Sequence, residues 1–305
     1  MIEQRAGFVG LGLMGFPMAV NLLRKGWEVA GWNRSAAALH AFEEQGGQSC
    51  ASLEELRSMP VIIFMLPDLP FIEETVEPLL ESWRVEPPAP GTVILVMSSV
   101  SPAGVRTFGE AVHAASGGNA VVVDAPVSGG TKGAIDGSLA IMAGCEPDVF
   151  DRILPVLQAM GTTVRRMGPL GSGSLAKACN QLIVGTTTAA LAEAAELAER
   201  SGMDVGALFE VLAGGLAGSR VLEQLGPRLA AKNYTPTGPA KFMRKDLGFV
   251  ADAAEETAAV VPMASAGMEL YGHLVAQGLG DQDLAVVRQA IANLSGARHT
   301  DSMAN

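Results

Sequence analysis

"FVGLGLMGFPMAVNLLRKG", residues 8–26, sets Gly10, Gly12 and Gly15 between an apolar run that reads as a strand and a stretch that reads as a helix. The G-x-G-x-x-G spacing alone is a weak signal in a chain with 36 glycines. Its position at the first strand-to-helix turn strengthens it, because a dinucleotide needs each glycine for a different reason. Gly10 suits the tight turn, Gly12 lets backbone approach a pyrophosphate, and Gly15 lets helix and strand pack closely. The phosphates then rest on the helix N-terminus, beside Leu11, Leu13 and Met14. Pro17 falls in the first turn, where its missing N–H costs little.

The second strand ends "GWNRSAAA", residues 31–38. A free ribose 2′-hydroxyl calls for Asp or Glu at this strand end. Asn33 stands there instead, followed by Arg34 and Ser35. Loss of the acid removes repulsion against a 2′-phosphate, which a guanidinium can clamp in two places. The expected cofactor is NADP, with NAD the weaker alternative.

Working outward, residues 6–10, 27–32, 61–66, 92–98 and 120–126 read as strands that are apolar nearly throughout. Such strands suit a sheet covered on both faces by crossover helices. Helices are expected over 13–25, 35–46, 70–83 and 101–116. This alternation implies an α/β, Rossmann-type, doubly wound parallel sheet over residues 1–165. Beyond it the strand-like runs stop. No proline interrupts Gly173 to Arg200, and the run predicts one long helix over about 173–201, followed by a C′ glycine at Gly202. Further helices are expected over 204–213, 220–231, 240–258, 263–277 and 282–294, with a frayed polar tail. Residues 166–305 therefore form an all-α domain joined to the first by the long helix.

Composition narrows the function. Across 305 residues, 49 % are hydrophobic and 17 % charged, enough to bury sizeable cores. The 21 basic and 32 acidic residues leave a net charge of −11, which argues against nucleic acid or an anionic membrane as partners. Any site for an anion must be built locally. Three scattered cysteines and four scattered histidines give no metal or disulfide signal and fit a reducing cytoplasm. The start of the chain has no signal-peptide pattern, and no run reaches membrane length.

Two further stretches carry polar groups in apolar surroundings. "DAPVSGG", residues 124–130, follows the last apolar strand, and Ser128, Gly129 and Gly130 leave a hydroxyl and amides able to face a carboxylate. The same pattern also suits an ordinary strand-to-loop turn. In "GSGSLAKACNQ", residues 171–181, Lys177 is the sole Asp, Glu, Lys or Arg between Arg166 and Glu193. A buried, unpaired ammonium is costly, so its tip either reaches solvent or lines a polar cavity against a substrate. Asn180 and Gln181 share its helical face. Partial desolvation favours the neutral amine and would make such a lysine usable as an acid/base.

The glycine turn, "DAPVSGG", "GSGSLAKACNQ" and "KDLGFVAD" (residues 245–252) occur in order, and together they resemble the β-hydroxyacid dehydrogenase family. "GGLAGSRVLE", residues 214–223, is similar to its tartronate semialdehyde reductases. The resemblance spans about residues 6–294. It implies an NAD(P)-dependent oxidoreductase that interconverts a small 3-hydroxy acid and its semialdehyde, as a cytoplasmic homodimer or homotetramer without a metal. By position, Lys177 resembles the general acid/base, with Asn180 beside it. Ser128, Gly129 and Gly130 resemble the carboxylate cradle, Gln181 lies at the substrate, and Lys245 resembles the cleft lysine shared by substrate and cofactor. Met65, Leu66, Pro67 and Ser99 fall where the family holds the cofactor. Two positions depart from the pattern. Gln181 stands where many members have Asn, and Val96 stands where an aspartate is usual. Imine reduction, serine oxidation and a cofactor-bound interaction module are the competing readings; retention of Lys177 argues against the first and the last.

Overall fold

The computed structural model describes the backbone of residues 2–303 and the side chains of residues 2–296. The chain divides into two compact units, Met1–Lys177 and Ala178–Asn305. The division falls inside the long helix, later than the 165/166 boundary expected from the end of the strand-like runs.

The first unit opens with β1 (Arg5–Val9), α1 (Gly15–Arg24), β2 (Glu28–Trp32), α2 (Ala36–Glu43) and β3 (Gln48–Ser49). It continues with β4 (Val61–Phe64), α3 (Leu69–Val85), β5 (Thr92–Val96), α4 (Pro102–Ala115) and β6 (Ala120–Asp124). These six strands pair in parallel in the order β3-β2-β1-β4-β5-β6. Every residue of β4 and β5 is buried, which is why their sequences run apolar without alternating. Two apolar clusters pack the sheet. One includes Phe8, Met18 and Leu22, the other Phe64, Ile72 and Trp83.

The sheet is not wholly parallel. Beyond β6 come β7 (Val127–Ser128), α5 (Gly130–Asp136), β8 (Leu139–Gly144), α6 (Pro147–Met160) and β9 (Gly161–Gly168). β8 runs antiparallel to β6 and β7, and β9 pairs in parallel with β8. The link between β7 and β8 is shorter than the dozen or so residues that a parallel crossover needs. The chain therefore turns back beside itself.

α7 (Ser172–Arg200) crosses from the first unit into the second, and its 29 residues span about 43 Å. Then follow α8 (Val205–Ala213), α9 (Arg220–Ala230), α10 (Lys241–Thr257), α11 (Pro262–Ala276) and α12 (Val287–Met303). Asp204 and Ser219 cap α8 and α9, accepting from the amides of Ala207 and Leu222 at 2.7 and 3.1 Å. α12 begins later than the expected residue 282. The buried Asp283 accepts from Arg228 at 3.1 Å and also from Thr237, and its side chain caps a short 3-10 turn, Leu284–Val286. α12 also runs past residue 294 into the stretch expected to fray, and the last two residues lie outside the described ones.

Arg288 is 1 % exposed. Its guanidinium donates to the carbonyls of Leu229 and Ala230 at the end of α9 and lies 3.0 Å from Glu199 on α7. Lys232 meets the same carboxylate at 2.8 Å. Lys232 first, and the Arg288 charge after it, hold the Glu199 carboxyl below the usual range, against a smaller upward push from burial. A lowered native pKa adds stability above the unfolded value, near 4.3, and loses it as pH falls through the native value. Glu199 is about half exposed, so solvent screening limits the effect to about 1 kcal/mol or less. Thermal unfolding followed by circular dichroism should find Glu199→Gln less stable than wild type at pH 7. The two curves should converge as pH falls towards about 3.

Candidate active site

The glycine turn sits where the chain leaves β1, between β2 on one side and β4 on the other. This is the switch point at which open α/β sheets bind ligands. Gly10 has φ +99°, and a Cβ there would lie 2.4 Å from the Met65 carbonyl oxygen. A Cβ on Gly15 would lie 1.9 Å from the Gly10 carbonyl oxygen. Both glycines are demanded by the chain's own packing. Gly12 differs: a Cβ there meets nothing within 4 Å. No side chain caps the start of α1, and its first turn carries no acid. Uncapped amides beside an unobstructed glycine fit the pyrophosphate of a dinucleotide.

Asn33 does more than vacate an acidic position. Its Oδ1 accepts from the Leu11 amide at 3.0 Å and its Nδ2 donates to the Ser35 carbonyl at 3.4 Å, tying the end of β2 to the glycine turn. Arg34 and Ser35 are exposed. Met65 and Leu66 follow β4 half-buried, with Pro67 exposed, and the Leu66 amide donates to the buried Ser98 hydroxyl at 2.9 Å. Ser99 is the next residue and is half-buried. A cavity of about 770 Å³ opens along the Phe16–Val20–Arg24 side of α1, with Leu13, Gln45 and Ile135 in its wall. Leu11 and Gly12 of the glycine turn line it as well, whereas Asn33, Met65, Ser128 and Lys177 do not.

Ser128 closes β7 half-buried, and Gly129 and Gly130 follow with φ of +137° and +62°. The buried Asn21 of α1 donates from Nδ2 to the Ala134 carbonyl of α5 at 2.7 Å, joining the helix after the glycine turn to the helix after the cradle. Lys177 ends this unit, half-buried on α7. Four residues before Ser128, Asp124 has no solvent exposure. Burial pushes its carboxyl up, against the lowering effect of hydrogen bonds from the Gly171 and Ser174 amides. Burial also lifts the Cys50 and Cys145 thiols to about 11, which leaves neither as a thiolate nucleophile near neutrality.

The remaining site residues lie in the second unit. Asn180 donates from Nδ2 to Gln181 Oε1 at 3.0 Å, and Gln181 Nε2 donates to Asp246 Oδ2 at 2.7 Å. Gln181 is therefore engaged through both ends of its amide. Lys245 lies over the Phe242 and Phe249 rings at 5.6 and 5.4 Å, with Asp246 at 3.7 Å. Sequence reasoning passed over Asn21, Ser98, Asp124 and Asp246. Three of these stand inside quoted motifs, Asn21 in the glycine turn, Asp124 at the head of "DAPVSGG" and Asp246 beside Lys245, and that placement was their only signal. Among the described residues, no three His, Cys, Asp or Glu are grouped to hold a metal ion, and no helix is long and apolar enough to cross a membrane.

The contrast between the glycines can be measured. Gly12→Ala should melt within about 2 °C of wild type. Its affinity for NADPH, titrated by nicotinamide fluorescence, should fall by at least about tenfold. Gly15→Ala should lose stability severely. Equal destabilisation in both would make Gly12 a packing glycine.

Comparison with known proteins agrees with this geometry. The profile described as the NAD binding domain of 6-phosphogluconate dehydrogenase matches residues 5–168. That of the NAD-binding of NADP-dependent 3-hydroxyisobutyrate dehydrogenase matches residues 171–291. An NAD-dependent L-serine dehydrogenase of Pseudomonas aeruginosa is 32 % identical over 94 % of this chain and 97 % of its own. A 2-hydroxy-3-oxopropionate reductase of Escherichia coli is 32 % identical over the same shares of the two chains. The crystal structure of a 3-hydroxyisobutyrate dehydrogenase from Salmonella typhimurium superposes with a TM-score of 0.85 at 28 % identity, covering 93 % of this chain and 99 % of that one. With a dinucleotide turn at the sheet's switch point and relatives along nearly its whole length, the chain belongs to the β-hydroxyacid dehydrogenase family and is an NAD(P)-dependent oxidoreductase acting on CH–OH groups.

Proposed function

We propose that the protein interconverts a small 3-hydroxy acid and its semialdehyde, with Lys177 as general acid/base. The observation that carries this reading is Lys177, half-buried on α7 and the sole Asp, Glu, Lys or Arg from Met167 to Ala192. The cofactor, when bound, supplies the hydride acceptor for oxidation and the donor for reduction. During oxidation Lys177 Nζ takes the hydroxyl proton as the neighbouring carbon gives up hydride. During reduction its ammonium polarises the carbonyl and returns the proton. Ser128, Gly129 and Gly130 receive the substrate carboxylate, and Asn180 follows Lys177 by about one turn of α7. Serine is itself a 3-hydroxy acid, and the L-serine dehydrogenase named above supports its place among the candidate substrates.

A panel of 3-hydroxyisobutyrate, L-serine and 2-hydroxy-3-oxopropionate, read by nicotinamide absorbance, tests the substrate class. Lys177→Met keeps length and apolar packing while deleting the proton. It should fold, bind NADPH normally and lose about 10²–10⁴ in kcat. Retention of more than about a tenth of wild-type kcat would place the proton transfer elsewhere.

For the cofactor we propose a preference for NADPH. Asn33 leaves no acid at the ribose, and the exposed Arg34 has no hydrogen bond or ion pair among the described residues. Arg34→Ala should erase most of an NADPH preference of roughly one to a few orders of magnitude in kcat/KM, with NADH kinetics barely changed. A wild type that prefers NADH would remove this argument.

A further inference from the structure

We propose that Asp124 is a positioning residue, whose carboxylate anchors the first turn of α7 and so fixes Lys177 relative to Ser128. The inference rests on the reading of Lys177 as the proton carrier. Asp124 Oδ1 accepts from the Gly171 amide at 2.8 Å, and Oδ2 accepts from the Ser174 amide at 2.6 Å. One carboxylate thus holds the helix start at two points, and Ser174 lies about one turn before Lys177.

The surroundings leave the helix no other seat. A Cβ on Gly144 would lie 2.1 Å from Asp124 Oδ1, and one on Gly173 would lie 2.2 Å from the Met142 carbonyl oxygen and 2.6 Å from that of Asp124. The first turn of α7 therefore rests directly on the backbone at the ends of β6 and β8. The peptide running from Asp124 to the cradle is itself fixed, since the Ala125 amide donates to the Val96 carbonyl at 2.7 Å and Pro126 accepts from Met142 at 3.1 Å. Lys177 and Ser128 both trace back, through short rigid paths, to this one side chain. A change at Asp124 alters the distance between the proton carrier and the carboxylate cradle without touching either.

Asp124→Asn keeps the volume but turns one acceptor into a donor facing an amide N–H. The test uses whichever substrate of the panel above the wild type turns over fastest. Asp124→Asn should bind NADPH within about twofold of wild type and lose roughly ten- to a hundredfold in kcat, the scale of an ångström-sized misplacement. The isotope effect, read with 4-deuterated NADPH for a reduction or with substrate deuterated at the carbinol carbon for an oxidation, should rise, because chemistry becomes slower than release. A merely structural residue would lower the melting temperature and the active fraction but leave the isotope effect per active site unchanged.

The double variant with Lys177→Met separates the two ideas. If Asp124 acts through Lys177, adding Asp124→Asn to Lys177→Met should lower kcat by less than about twofold further. A full additional loss in that background would overturn the inference. A Lys177→Met protein with near-normal kcat would overturn the lysine reading first. Should Asp124→Asn not fold, Asp124→Ser, which keeps one acceptor, takes its place with the same expectations. Failure of both to fold would make Asp124 a requirement of the fold alone and end the proposal.

Discussion

A carboxylate with no contact with water has to find its partners inside the protein, and Asp124 finds them in two backbone amides at the start of α7. Much else follows from that one demand. The amides are reached only if the helix lies against the ends of β6 and β8, and it lies there only because Gly144 and Gly173 bring no side chains. The helix start is also the electrostatically favourable place for a negative group, since its unpaired N–H groups point at it. A motif that looks like a flexible glycine-serine stretch is therefore among the most constrained parts of the first unit.

The fold was legible in the sequence wherever burial was uniform. β4 and β5 are buried throughout, so their apolar runs announced them, and the helix limits fell close to the expected ones. The stretch from β7 to β9 was not legible. β8, "LAIMAG", is a short apolar run that the sequence reading passed over, and β9, "GTTVRRMG", turns a largely exposed, charged sequence along the edge of the sheet. β9 carries no continuous apolar run, and the antiparallel pairing of β8 is set by contacts that no local pattern encodes. The late start of α12 is a similar case, because Asp283 is drawn to Arg228 from a distant part of the chain.

The site divides the same way. Gly10 and Gly15 could be read from spacing, because their role is local sterics. The role of Asn33 could be read only in part: spacing located the missing acid, but the bond to Leu11 depends on the path of the chain. Asn21, Asp124 and Asp246 have partners far along the sequence, and a buried hydrogen bond leaves no periodic trace. The threonines of α7 show how a polar run survives in apolar surroundings. Thr186 and Thr188 turn their hydroxyls back to the carbonyls of Leu182 and Val184, at 2.6 and 2.7 Å, and so present methyl groups outward.

Arg288 bears on how the protein is made. Every strand of the first unit has left the ribosome by Gly168, so the whole sheet can pair while the helical half is still being synthesised. The second unit has no such early closure. The carbonyls at the end of α9 and the carboxylate of Glu199 wait for a guanidinium that emerges only with α12. Chain order thus lets the nucleotide half close first, whereas the contacts of Arg288 in the helical half can form only once that arginine has emerged. A nascent chain stalled before residue 288 would present the quality-control machinery with a finished sheet trailing an uncapped bundle.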